Sequence, residues 1–145
     1  MRKWTWVRVV IVILSFAIAL FPSPKTASVP PLDWEALLAA LLVIPIGLLF
    51  VVGIQRVNPR SAPVWRYPDW SLNPFTMKEP LQFFHFASYV FLAGGVGHVI
   101  RVAVSSNQAT LDDLFGAAIG VGLLIGVKLC AVVFRNKMGP KKEPA

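Results

Sequence analysis

The sequence predicts an all-α integral membrane protein with four transmembrane helices and both termini in the cytoplasm. Of its 145 residues, 56% are hydrophobic and only 14% are charged, whereas about a quarter of the residues are charged in a typical soluble domain. The hydrophobic residues are grouped in blocks long enough to cross a bilayer. Lysine and arginine also alternate strongly between the segments that join these blocks, as they do in multi-pass membrane proteins.

The first block covers residues 7–21 and reads VRVVIVILSFAIALF. Its basic start, with Arg2 and Lys3, resembles the beginning of a signal peptide. No good cleavage site follows, however, because two prolines and a lysine come directly after the block. Trp4 and Trp6 are typical of a membrane–water interface and are not needed in a secretion signal. We therefore expect the first span to be retained.

Three further blocks cover residues 37–54, 81–104 and 114–134. At ~1.5 Å per residue, each is long enough to cover most or all of a hydrocarbon core of ~30 Å. Pro45 lies in the middle of the second block, where we expect a kink that a neighbouring helix must cover. The chain thus contains four candidate spans.

The basic residues predict the orientation of these spans. Two connections are poor in basic residues: the one from the first block to the second and the one from the third block to the fourth. Together they hold a single lysine and four acidic residues. Eleven lysines and arginines lie in the N-terminal segment, in the connection between the second and third blocks, and in the C-terminal tail. They are Arg2, Lys3, Arg8, Arg56, Arg60, Arg66, Lys78, Arg135, Lys137, Lys141 and Lys142. Because basic loops stay in the cytoplasm, we expect both termini there, in a bacterial inner membrane.

We expect a single four-helix membrane domain over residues 1–145, with a cytoplasmic loop at 55–80 and a short basic tail at 135–145. Five prolines in the loop exclude a long helix. Its aromatic and basic side chains suit either contact with lipid headgroups or docking of a protein partner. The residues we expect to make such contacts are Trp65, Arg66, Tyr67, Trp70 and Phe75.

Small residues recur every four positions in the last two blocks. Ala118, Gly122 and Gly126 form such a stripe in the fourth block, and Ala93 and Gly97 form one in the third. Helices in lipid associate by close backbone approach along small residues. The spacing predicts that the third and fourth spans form a close-packed hairpin, and a homodimer is the competing use of the same stripes.

The two histidines, His85 and His98, lie near opposite ends of the third block. Their separation of ~20 Å along a helix suits a pair of membrane haems. Each bis-histidine haem needs a second ligand, however, and the chain has no third histidine. Hydrogen bonds at the two interfaces are the favoured interpretation. We also expect Arg101 to reach the outer surface with Asp112 or Asp113 as its partner.

Apart from the two histidines, no pattern indicates catalysis, a metal site or a cofactor. The single cysteine, Cys130, excludes an intramolecular disulfide and a CxxC pair, and the basic residues flank spans rather than forming a nucleic-acid surface. The favoured interpretation is a non-enzymatic membrane protein that acts through protein–protein interaction, as an accessory, assembly or immunity-type subunit. Its partners would be the lipid bilayer and a protein or second copy. The alternatives are a b-type haem or quinone-associated anchor that uses His85 and His98, and an oligomeric channel or holin-like pore.

Overall fold

The computed structural model describes residues 3–21, 33–57, 68–76, 79–106 and 110–133. The described residues form four long helices and no strand: α1 (Lys3–Leu20), α2 (Trp34–Val57), α3 (Pro80–Ser106) and α4 (Phe115–Val133). A 3-10 turn, Leu111–Leu114, leads directly into α4. α1, α2, α3 and α4 with its preceding turn are each long and apolar enough to cross a membrane. The four predicted helices are therefore present, each with the length and composition that a membrane span requires.

The helices pack in the order α1, α3, α4, α2, so that α3 and α4 are the central pair. α1 runs parallel to α3, because Arg8 contacts Gln82 near the start of both helices and Ser15 Oγ donates to the Val90 carbonyl 3.0 Å away. We call the end of the molecule at which α1 and α3 begin the N-terminal face, and the other end the opposite face.

α3 and α4 approach each other closely through glycines. A Cβ atom placed on Gly95 would lie 2.7 Å from Cα of Ala117, and one on Gly120 would lie 2.6 Å from the backbone nitrogen of Leu92. These contacts pair later residues of α3 with earlier residues of α4, so the two helices are antiparallel. Only glycine permits such an approach at Gly95 and Gly120.

The small-residue stripe of α4 lies against α2, parallel to it. A Cβ on Gly122 would lie 3.3 Å from the Ala40 carbonyl oxygen, and one on Gly126 would lie 3.0 Å from Cα of Pro45. Ala118, the first member of the stripe, is also buried. The sequence assigned this stripe to the α3–α4 contact, but α4 carries small residues on two faces and uses the other face for α3. α2 continues as a helix through Pro45.

Gly97 of α3 likewise lies against a different neighbour from the one expected. A Cβ on Gly97 would lie 2.8 Å from the Phe16 carbonyl oxygen of α1. Ala93, the other member of the α3 stripe, is half-buried. Small residues in α3 therefore serve two contacts, with α1 through Gly97 and with α4 through Gly95.

An apolar core joins α2, α3 and α4 towards the N-terminal face. Its buried members are Leu48, Val52, Leu81, Val127 and Cys130. Cys130 is fully buried, which agrees with a packing role. Large apolar side chains are exposed along the outward surfaces of the helices, where the bilayer would cover them.

Candidate functional site

Residues 68–76, which we call the docked segment, lie against the first turns of α1 and α3 at the N-terminal face. Arg8 of α1 is fully buried there, and its Nη2 donates to the Leu72 carbonyl at 2.7 Å and to Gln82 Oε1 at 3.5 Å. The backbone N–H of Asp69 donates to the same Gln82 oxygen at 3.0 Å. Arg8 and Gln82 thus connect both helices to the backbone of the docked segment.

The Arg8 guanidinium also lies near two aromatic rings. Its Cζ is 5.9 Å from the Trp70 ring centroid and 5.8 Å from that of Phe86. Nε and Nη1 of Arg8 are buried and have no hydrogen-bond partner among the described residues. Burying these nitrogens without hydrogen bonds costs free energy. Cation–π attraction to the two rings offsets part of that cost, since such contacts strengthen when the cation is removed from water.

Trp70 anchors the docked segment to α3. Its ring lies 4.8 Å from Tyr89 and 6.0 Å from His85 in edge-to-face contacts, and the rings of His85 and Tyr89 are 5.2 Å apart. His85 Nδ1 is buried and has no hydrogen-bond partner within the described part of the chain. Trp70 and His85, both half-buried, therefore belong to an aromatic cluster that joins the docked segment to α3.

Phe75 has a different position. It packs edge-on against Trp4 and Phe86, with ring centroids 6.5 and 5.7 Å away, yet it remains 53% exposed. It borders an apolar cleft of about 370 Å³ between the docked segment, α2 and α3, whose other lining residues are Val51, Pro74, Thr76, Pro80, Phe83 and Phe84. Phe75 is thus held in place by its neighbours while one side of its ring stays accessible.

Of the five loop residues that the sequence singled out, the structure brings Trp70 and Phe75 to one face of the molecule. Trp65, Arg66 and Tyr67 lie outside the described residues. The sequence reasoning missed Gln82 and counted Arg8 only as a basic flank. The available signal for Arg8 was its place inside the apolar run, between Val7 and Val9.

His98 lies in a second polar cluster, at the opposite face. Its Nε2 is 2.8 Å from Asp113 Oδ1, and its Nδ1 is 2.7 Å from Arg101 Nη2. A guanidinium can only donate, so Nδ1 of His98 is the acceptor, and its Nε2–H donates to the Asp113 carboxylate. Arg101 Nη1 also donates to the backbone carbonyl of Phe21, the residue that follows α1. The cluster joins the end of α1, α3 and the 3-10 turn, and His98 contacts both Arg101 and Asp113.

Asp113 completes the cluster by capping its own turn. Its Oδ2 accepts hydrogen bonds from the Thr110 backbone N–H at 2.8 Å and from Thr110 Oγ1 at 2.9 Å. This arrangement is a capping box, which satisfies free donors where a helix begins. Asp113 therefore supports both the start of the fourth span and the orientation of His98.

The two histidines have different surroundings, because both ring nitrogens of His98 are engaged whereas His85 lies edge-on to two aromatic rings. Within the described ranges, no group of three or more histidine, cysteine, aspartate or glutamate side chains is placed to hold a metal ion. Comparison with known protein families, curated proteins and solved structures finds no significant match for this chain.

Proposed function

We propose that the protein is a non-enzymatic, multi-pass membrane protein that binds a protein partner at its N-terminal face. It would be an accessory, assembly or immunity-type subunit of a membrane complex. The observation that carries this proposal is the docked segment, which a fully buried arginine fixes while Phe75 stays 53% exposed beside an apolar cleft. Aromatic side chains, phenylalanine among them, are enriched at protein–protein interfaces relative to the rest of the surface.

The fixed position of Phe75 supports binding in a further way. A loop that becomes ordered only on binding loses conformational entropy at that moment, which weakens the complex. The docked segment is already ordered by contacts within the chain, through Leu72, Trp70 and Asp69. Phe75 and Phe83, which is 46% exposed, flank the cleft and offer apolar surface to an apolar side chain of a partner helix.

We propose further that the N-terminal face lies in the cytoplasm of a bacterial inner membrane. Eleven of the fourteen lysines and arginines fall in the segments that would lie on that side. The partner would accordingly be a cytoplasmic or inner-membrane protein. A fluorescent protein fused to the C-terminus should fluoresce, and alkaline phosphatase fused at the same point should be inactive; the reverse pattern would contradict this orientation.

Site-specific photocrosslinking tests the proposed interaction. A benzophenone amino acid replaces Phe75 in cells that express the full chain, and ultraviolet light links it to whatever protein touches that ring. The matched control replaces Phe21, which is 71% exposed at the opposite face. The proposal predicts one discrete protein adduct at position 75 and none of the same mass at position 21. No adduct at position 75, or the same adduct at both positions, would contradict it.

The alternative functions have less support from the geometry. A haem held by His98 would have to displace Asp113 or Arg101 from a ring nitrogen. An absorption spectrum of the purified protein tests this alternative, because a bound haem gives a Soret band. Ion leakage from reconstituted vesicles tests the pore alternative.

A further inference from the structure

His98 connects three parts of the chain at the opposite face through hydrogen bonds that depend on its charge. Its Nδ1 lies 2.7 Å from Arg101 Nη2, and its Nε2 lies 2.8 Å from Asp113 Oδ1. The same guanidinium donates through Nη1 to the backbone carbonyl of Phe21, directly after α1. Arg101 therefore connects the acceptor nitrogen of His98 to the end of α1. We call His98, Arg101 and the Phe21 carbonyl the latch.

The bond between Arg101 and His98 requires a neutral imidazole. A guanidinium has N–H donors and no acceptor, so Nδ1 of His98 must offer its lone pair. Protonation places a hydrogen on Nδ1, 2.7 Å from a nitrogen that is itself a positively charged donor. The bond to Asp113 is kept in both states, because Nε2 carries a hydrogen in either form. Acid therefore breaks one of the two His98 bonds and keeps the other.

His98 is the group in this cluster whose charge a moderate change of pH alters. Its side chain is 37% exposed, so protons from solvent reach it. The other ionisable groups that face it are Arg101 on α3 and Asp112 and Asp113 on the 3-10 turn. Of these side-chain types, only histidine ordinarily changes its charge between about pH 5 and 8. The charged residues of α1 and α4 lie towards the N-terminal face: Lys3, Arg8 and Lys128.

We propose that protonation of His98 opens the latch and loosens the end of α1 from α3. Two positive groups then face each other where the Arg101–His98 bond was, so the guanidinium turns towards water and away from the Phe21 carbonyl. Arg101 has other interactions as well, so we expect the end of α1 to open more often while the helices stay packed.

The side of the membrane on which this occurs depends on the orientation of the chain. In the orientation proposed above, the opposite face lies outside the cytoplasm, and the latch would respond to external pH. That assignment rests on the proposed function, whereas the opening of the latch does not.

Hydrogen–deuterium exchange of the full-length protein in detergent tests the proposal. Exchange is followed at about pH 7.5 and about pH 5.5, and each rate is corrected for the intrinsic pH dependence of amide exchange. Loss of one hydrogen bond predicts that peptides covering residues 14–21 open about fivefold more often at the lower pH. Peptides from α4 should keep the same protection at both. Equal opening of residues 14–21 at the two pH values would overturn the proposal.

Three variants assign the pH dependence to the latch. His98→Gln should abolish it, because the amide can accept from Arg101 and donate to Asp113 at both pH values. Arg101→Leu should also abolish it, with the end of α1 opening at the same increased rate at both. His85→Gln is the matched control, since it removes the other histidine of α3, at the N-terminal face, and should keep the fivefold change.

A thermal unfolding midpoint establishes that each variant is folded. A pH dependence that survives in His98→Gln, or that disappears in His85→Gln, would show that another group titrates and would contradict the proposal. If His98→Gln does not fold, survival of the pH dependence in Arg101→Leu is the contradicting result.

Discussion

Replacing Arg8 with leucine should release the docked segment from the helices while leaving the four-helix arrangement in place. The 2.7 Å hydrogen bond from Arg8 Nη2 to the Leu72 carbonyl is lost, together with the contacts to the Trp70 and Phe86 rings. Gln82 still accepts from the Asp69 backbone, so part of the attachment remains.

The expected magnitude follows from these contacts. A hydrogen bond from a charged group contributes about 1.5–3 kcal/mol, and each cation–π contact about 0.5–2 kcal/mol. Leucine also removes two buried nitrogens that lack hydrogen-bond partners among the described residues, which offsets part of the loss. We therefore expect local stability of the docked segment to fall by about 2 kcal/mol, which corresponds to about 30-fold more frequent opening. Global unfolding should change less.

Hydrogen–deuterium exchange measures this opening directly. Peptides that cover residues 68–76 should exchange about 30-fold faster in Arg8→Leu than in the wild type, while peptides from α4 keep their protection. Lys3→Leu is the matched control, because it removes the same charge from an exposed position on the same helix. Unchanged exchange in Arg8→Leu, or equal acceleration in Lys3→Leu, would refute the role assigned to the buried arginine.

Thermal unfolding in one detergent tests three further predictions. Gly95→Ala should destabilise the protein by about 1–3 kcal/mol, since the added Cβ would lie 2.7 Å from Cα of Ala117. Gly116→Ala should be nearly neutral, because its Cβ would lie 3.4 Å from the nearest atom, Cα of Gly95. Equal effects of the two changes would contradict the packing. Asp113→Asn should cost about 1 kcal/mol by weakening the His98 bond and the turn cap, and no change would be inconsistent with that role. Gly47→Ala should stabilise by about 0.5 kcal/mol, because among the described residues no atom beyond its own helical backbone lies within 4 Å of the added Cβ. A loss of stability would reveal a contact at that position.

The existence of the four helices could be predicted from the sequence, because hydrophobic length is a direct requirement of the bilayer. The ends of the helices were harder to place. α1 begins at Lys3 rather than at residue 7, since the belt residues Trp4 and Trp6 continue the helix into the interface. α3 extends to Ser106, beyond the predicted limit at residue 104. Polar residues at an interface carry no signal that separates the last helical turn from the loop.

The neighbour of each small-residue stripe could not be predicted from spacing alone. A four-residue repeat identifies a face on a helix but does not say which helix covers it. Gly122 and Gly126 proved to lie against α2, and Gly97 against α1, while Gly95 and Gly120 form the α3–α4 contact. The order α1, α3, α4, α2 gives each central helix two neighbours, and this order is a property of the whole assembly.

The candidate site could be predicted only in outline. Composition indicated that the aromatic side chains of the loop contact lipid headgroups or a protein partner, but it did not distinguish Trp70, a half-buried anchor, from Phe75, which stays exposed. That difference depends on Arg8 and Gln82, which lie more than sixty positions apart in sequence and meet through tertiary packing. Likewise, the sequence predicted Asp112 or Asp113 as the partner of Arg101, but the position of His98 between Arg101 and Asp113 depends on the geometry of the turn.

The most direct test of the account is the photocrosslinking yield at position 75, compared between the wild-type chain and the Arg8→Leu variant at equal expression. The central claim is that the buried arginine fixes the docked segment and thereby presents Phe75 to a protein partner. We predict a discrete adduct in the wild-type background whose yield falls several-fold in Arg8→Leu and is unchanged in Lys3→Leu. An adduct of equal yield in all three backgrounds, or no adduct in any of them, would contradict this claim.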